Sequence, residues 1–182
     1  FDDKMWNGKG YDNNKKVAYK LKNGKGYVKE YYFDNTLKFE GEYKNGLKNG
    51  KGKIYTFNLH FEGEYFNDKR WNGKGYDNNN KLVYELKNGK GYVKEYYINN
   101  ILFFEGEYKD GLKNGRGKEY DKFNGTLKFE GEYINGLRNG KGKEYDYGNL
   151  IFEGEYLYDD KMKGREYYTN NKLKYEGDYL YN

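Results

Sequence analysis

The pentapeptide Phe39-Glu40-Gly41-Glu42-Tyr43 recurs unchanged at 61–65, 104–108, 129–133 and 152–156, and Tyr175-Glu176-Gly177-Asp178-Tyr179 is a sixth, near-identical copy. Diverged copies begin at Val17 and Leu82, so units start near 17, 39, 61, 82, 104, 129, 152 and 175, between 21 and 25 residues apart. A larger duplication lies over this period: residues 1–32 match 66–97 at 26 of 32 positions. Self-similarity with a period of roughly 20–50 residues marks a chain of small supersecondary units, each burying its apolar face only against its neighbours. The expectation is one repeat array over residues 1–182, with a partial unit at 1–16 and the eight units that follow.

Each unit reads as a β-hairpin. The pentapeptide is a short alternating run, and a turn pair follows it, such as Asn45-Gly46, Asp110-Gly111 or Asn135-Gly136. Asn-Gly supplies the positive φ angles of tight hairpin turns. A second run returns, as in Lys118-Glu119-Tyr120. The fuller units insert four residues, for example Leu47-Lys48-Asn49-Gly50, which either lengthen the loop or start the second strand earlier. Polar tracts such as Asp77-Asn78-Asn79-Asn80-Lys81 join one hairpin to the next, and no helical periodicity is visible.

Side chains alternate across a strand. Phe39, Gly41 and Tyr43 therefore share one face, and Glu40 and Glu42 the other. If the glutamates meet Lys51 and Lys53 of the returning strand, the second face is a ladder of opposite charges, each pair contributing about 0.2–1 kcal/mol. Composition requires some such arrangement. Apolar residues are 35 % of the chain and aromatic residues alone 21 %, so rings outweigh aliphatic side chains. That is too little aliphatic bulk for a two-layer core, while 25 Tyr and 11 Phe are too many rings for a disordered chain. Glycines on the ring face leave space for a ring to lie on the backbone, and ring pairs add about 0.5–1.5 kcal/mol beyond their buried area. The fold class expected is all-β: an elongated, single-layer, twisted antiparallel sheet of repeated hairpins.

The run Phe129–Tyr145, F-E-G-E-Y-x-N-G-x-x-N-G-x-G-x-x-Y, resembles the MORN (membrane occupation and recognition nexus) repeat. Its marks are an aromatic-x-Gly-x-aromatic strand, a short loop and a Gly-x-Gly strand. It is also similar to the MORN-variant repeats of some bacterial proteins. The resemblance runs from Val17 to the end, and residues 1–16 are similar to the latter part of a further unit. The units at Val17 and Leu82 depart from it by lacking the glycine of Glu-Gly-Glu. The resemblance implies an extended array of hairpins with a scaffolding or attachment role, and contact with acidic lipid headgroups.

The residues themselves offer little chemistry. With no Cys and no Ser there is no disulfide, thiolate zinc site or Ser or Cys nucleophile. Paired carboxylates such as Glu40 and Glu42 can do acid–base work in glycosidases, but here every unit repeats the pair beside lysines, the pattern of a charge ladder. The one histidine, His60, occupies a position that varies between units and reads as loop or strand edge. Asn-Gly-Lys-Gly, at 23–26 and 49–52, lacks the Lys-Ser/Thr ending and the following helix of a phosphate loop. Asp77 to Lys81 lacks the glycine and glutamate of a calcium loop and reads as linker. No enzyme, catalytic residue, metal or cofactor is expected. No stretch approaches the ~20 apolar residues of a membrane-spanning helix.

A non-enzymatic structural or scaffold module mediating protein–protein interaction or assembly is the reading the residues favour. Its candidate partner-binding residues are the rings Phe39, Tyr43, Phe61, Tyr65, Phe104, Tyr108, Phe129, Tyr133, Phe152 and Tyr156. The alternative is peripheral binding to acidic membrane lipid through Lys44, Lys48, Lys51, Lys109, Lys113 and Arg116, where each cation near an anionic surface contributes about 1 kcal/mol. Nucleic acid is disfavoured, because a net charge of +5 interleaved with glutamates forms no basic stripe. The partner is expected to be a protein, with a homo-oligomer through the C-terminal edge as a further expectation; both ends of the array are expected to be unpaired, with exposed rings at Phe1, Tyr179 and Tyr181. The corresponding location is the cytoplasm or a membrane periphery.

Overall fold

Alternating strands punctuated by Asn-Gly pairs fold here into antiparallel sheets whose strands follow one another in chain order. The structure is a computed structural model and describes residues 5–56 and 58–180. Phe1 and Tyr181, expected as edge rings, lie outside the described residues. The chain divides into two compact units, 1–89 and 90–182.

The first unit holds β1 (Gly8–Tyr11), β2 (Val17–Leu21), β3 (Gly26–Tyr31), β4 (Leu37–Lys44), β5 (Leu47–Tyr55), β6 (Leu59–Phe66), β7 (Lys69–Tyr76) and β8 (Leu82–Leu86). β1 and β2 form a two-stranded sheet, and β3 to β8 a six-stranded one. The second unit is a single eight-stranded sheet of β9 (Gly91–Tyr96), β10 (Leu102–Lys109), β11 (Leu112–Tyr120), β12 (Leu127–Ile134), β13 (Leu137–Asp146), β14 (Asn149–Leu157), β15 (Asp160–Tyr167) and β16 (Leu173–Asp178). No helix and no closed barrel occur among the described residues.

The turns behave as their residues dictate. Asn45 and Gly46 take φ of 55° and 76°, the paired positive values of a two-residue hairpin. At several turns the amide of the second residue donates to the hairpin before it: Gly46 to the Gly24 carbonyl at 3.0 Å, Asp68 to Lys48 at 2.9 Å and, in the second unit, Asp159 to Arg138 at 3.0 Å. Hairpins are thus tied turn to turn along one edge of each sheet. At the opposite edge, joining tracts close on themselves: Asp77 Oδ1 accepts the amides of Asn79 and Lys81, each at 2.9 Å.

The inserted residues extend the second strand. β5 begins at Leu47, and the register with β4 slips between Gly41 and Tyr43. The slack is taken by a bulge at Gly50, φ 107°, against which the Glu42 carboxylate folds and accepts the Lys51 amide at 3.1 Å. A Cβ on Gly50 would collide with that carboxylate. The same device recurs where Glu132 accepts the Lys141 amide at 3.1 Å beside Gly140. His60, expected at a loop or strand edge, is instead inside β6 and 5 % exposed. It falls where the β5–β6 register shifts, and the irregularity turns its ring inward.

Candidate functional site

Each sheet has two chemically distinct faces. On the first, Phe39, Phe61, Phe104, Phe129 and Phe152 are completely buried although the sheet is one layer thick. Glycine makes this geometry available from below: a Cβ on Gly131 would stand 2.6 Å from Phe129 Cζ and 2.7 Å from the Lys141 carbonyl. Sideways, the phenylalanines meet tyrosines edge-on, except where Phe61 stacks on Tyr84. Phe129 lies 5.7 Å from Tyr133 and 5.3 Å from Tyr156, and Phe152 lies 5.4 Å from Tyr156 and 5.8 Å from Tyr179. In the first unit Phe39 stands likewise between Tyr43 and Tyr65.

From above, the rings are covered by cations. Lys48 sits 4.2 Å over Phe39, Lys113 4.2 Å over Phe104, Arg138 4.0 Å over Phe129 and Lys161 4.3 Å over Phe152. Glutamates opposite the phenylalanines in register hold them there. Arg138 reaches Glu119 at 2.7 Å and Glu144 at 2.9 Å, Lys113 reaches Glu119 at 2.9 Å, and Lys161 reaches Glu144 at 2.9 Å. Burial by itself would raise the Glu119 carboxyl, but the hydrogen bonds and charges of Arg138 and Lys113 outweigh it and hold it down to about 2. The Tyr133 and Tyr156 phenols are pushed well above their ordinary value, first by burial and then by Glu119 and Glu144.

This places the residues singled out from the sequence. The candidate partner-binding rings line the buried side of their own sheets; of them only Tyr108 is half-buried. Among the candidate lipid-binding cations, Lys48 and Lys113 are half-buried in the cover over the rings, whereas Lys44, Lys51, Lys109 and Arg116 are exposed. The ring-capping cations Arg70, Arg138 and Lys161, and the ring-face glutamates Glu30, Glu95, Glu119 and Glu144, were not singled out. A signal existed: a basic residue recurs two positions after the turn at 48, 70, 113, 138 and 161 while its neighbours vary.

The second face is the charge ladder. Across the second unit, Lys94, Glu105, Lys118, Glu130, Lys143, Glu153, Arg165 and Glu176 stand in register on successive strands. Ion pairs link Lys94 to Glu105 at 3.2 Å, Lys118 to Glu130 at 3.6 Å, Lys143 to Glu153 at 3.8 Å and Arg165 to Glu176 at 2.8 Å. Tyrosine hydroxyls donate to the same carboxylates, Tyr120 to Glu105 at 2.8 Å and Tyr145 to Glu130 at 2.7 Å. A parallel row, with Arg116, Glu132, Lys141, Glu155 and Lys163, runs on the far side of the glycines. Between the rows lies a groove of about 880 Å³, floored by Gly117, Gly131, Gly142, Gly154, Gly164 and Gly177, with Tyr92 also against it.

Nothing in this arrangement singles out one place for bond chemistry. Among the described residues no group of His, Cys, Asp and Glu is set to hold a metal ion. Repeated hairpins forming open sheets, with a ring face capped from within and a charged face turned outward, define a β-hairpin repeat protein. The chain carries MORN repeats: the sequence profile of that repeat matches residues 39–58, 104–122 and 129–148. MORN repeats serve in general as modules for interaction with proteins or membranes and form a non-catalytic family. No curated protein matches the chain. Among the described residues no helix is long and apolar enough to cross a membrane.

Proposed function

We propose that the protein is a non-enzymatic interaction module that docks a protein partner on the charged face of its 90–182 unit, in the cytoplasm or at a membrane surface. The groove between the two charged rows carries this reading. The rings are occupied in holding the sheet, whereas the groove offers an open, chemically patterned surface. An aromatic cross-linking residue in place of Tyr92 tests it in living cells. Discrete protein adducts are expected, absent when the cross-linker replaces Tyr27 in the other unit.

A second reading is peripheral binding to acidic lipid. Exposed Lys44 and Lys109 beside the hairpin turns favour it, as do exposed Phe66 and Ile134 in neighbouring strand ends. Co-sedimentation with anionic but not neutral vesicles, with no protein adduct from position 92, would decide for this second reading.

A further inference from the structure

We infer that the groove of the 90–182 unit takes an extended acidic peptide whose carboxylates recur at every third residue, a refinement that rests on the protein-interaction reading above. The inference starts from charge register. Each strand presents one sign on both sides of its glycine: Arg116 and Lys118 on β11, Glu130 and Glu132 on β12, Lys141 and Lys143 on β13. β14 is again acidic and β15 again basic. Residues two apart on a strand lie about 6.8 Å from one another, so each basic strand offers two cations on either side of one point on the floor. Strands are about 4.8 Å apart, so such points recur every ~9.6 Å along the groove.

The two rows differ in what their charges already hold. In the row of Lys118, Lys143 and Arg165 every cation is paired to a glutamate. In the other row Arg116 and Lys141 are exposed and make no ion pair among the described residues. Lys163 reaches only Asp178, at 3.9 Å, with both side chains more than two-thirds exposed. The glutamate between Arg116 and Lys141, Glu132, is turned aside to cap the Lys141 amide. Glu155, in register between Lys141 and Lys163, is likewise exposed and makes no ion pair among the described residues, so the uncommitted charge of the groove is net positive, with its cations spaced by two strands.

An extended or polyproline II chain advances about 3.1–3.4 Å per residue, so residues three apart stand roughly 9.3–10 Å from one another. Carboxylates at that spacing fall on the three basic strands in turn. A nucleic acid carries a phosphate at every ~3.4 Å of axis per strand and would force phosphates onto Glu130, Glu153 and Glu155. A flat bilayer surface cannot enter the groove.

Fluorescence anisotropy at low salt with the whole chain tests the assignment. The probes are a labelled peptide of four Glu-Pro-Pro triplets, a peptide of the same composition with its glutamates adjacent, a Lys-Pro-Pro counterpart and a single-stranded oligonucleotide. The triplet peptide is expected to bind best, and R116E/K141E to weaken it about tenfold or more. The milder R116Q/K141Q gives an intermediate loss and serves if charge reversal disturbs the fold. Equal binding of the clustered peptide, preference for the lysine peptide or the oligonucleotide, or indifference to both double variants overturns the assignment. Protein adducts from position 92 that persist in R116E/K141E would refute the acidic peptide while leaving the interaction reading in place.

Discussion

The guanidinium of Arg138 lies 4.0 Å from the centre of the Phe129 ring while its two amino groups reach Glu119 and Glu144. One side chain thereby closes the ring layer from above and joins three strands, because Glu119 is on β11, Phe129 on β12, and Arg138 and Glu144 on β13. Cation–π contacts contribute about 0.5–1 kcal/mol when exposed and about 2 when desolvated. Arg138→Ala removes the contact and leaves two half-buried carboxylates short of a partner, with an expected loss of about 2–4 kcal/mol. Arg138→Lys keeps the charge but not the fork and costs less. Chemical denaturation of the two variants checks the order.

Gly131→Val is expected to be far more damaging than the loss of a neighbouring charge. Its new carbon would meet the Phe129 ring, the Lys141 carbonyl and the Gly142 backbone together, all within 2.8 Å. Backbone cannot step aside, so the cost exceeds the ~1–3 kcal/mol of ordinary overpacking. Glu132→Ala removes the carboxylate that receives the Lys141 amide, about 1.5–3 kcal/mol for a hydrogen bond to a charged group. Melting temperatures should fall in the order wild type, Glu132→Ala, Gly131→Val.

Acid should loosen the ring face. Glu119 has its carboxyl held at about 2 against an ordinary 4.5. A lowered folded-state value stabilises above the unfolded value and is lost as pH falls through the folded one. Stability should therefore decline from about pH 4.5 toward pH 2, by up to about 3 kcal/mol for this group. Glu119→Gln should flatten that decline in urea-denaturation series across the same range.

Alkali acts through the phenols with the opposite sign. Burial first, and then the hydrogen bond to a ladder glutamate, push Tyr55 and Tyr145 up to about 12 from 10.0. A raised folded-state value stabilises below the unfolded value and is lost as pH climbs through the folded one. Absorbance at the phenolate band should show Tyr55 and Tyr145 ionising near 12, and Tyr133 only as the sheet unfolds.

Within each unit of the chain, local signals were sufficient for much of the fold. Asn45-Gly46 set its turn through backbone preference alone, and the period of two assigned Phe39, Gly41 and Tyr43 to one face and Glu40 to the other. The charge ladder on the face of Glu40 followed from that alternation, as did the ring-on-glycine contact at Gly131, but its ion pairs differ from the expected ones: Lys53, in register with Glu40, reaches Glu62 at 3.6 Å, and Glu40 takes Lys29 at 3.3 Å. These features depend on residues close in sequence or on their exact repetition. The cover over the rings was decided elsewhere. The sequence left Lys113 open between loop and strand, because its four-residue insertion could lengthen either, and only the seating of a glutamate in the glycine bulge selects the strand. Arg138 bridges glutamates contributed by two strands, so its place depends on three chain segments at once. The groove, likewise, exists because six glycines from six strands come into register, and which of its cations stay uncommitted is settled by side-chain contacts across strands, a tertiary competition for the same carboxylates.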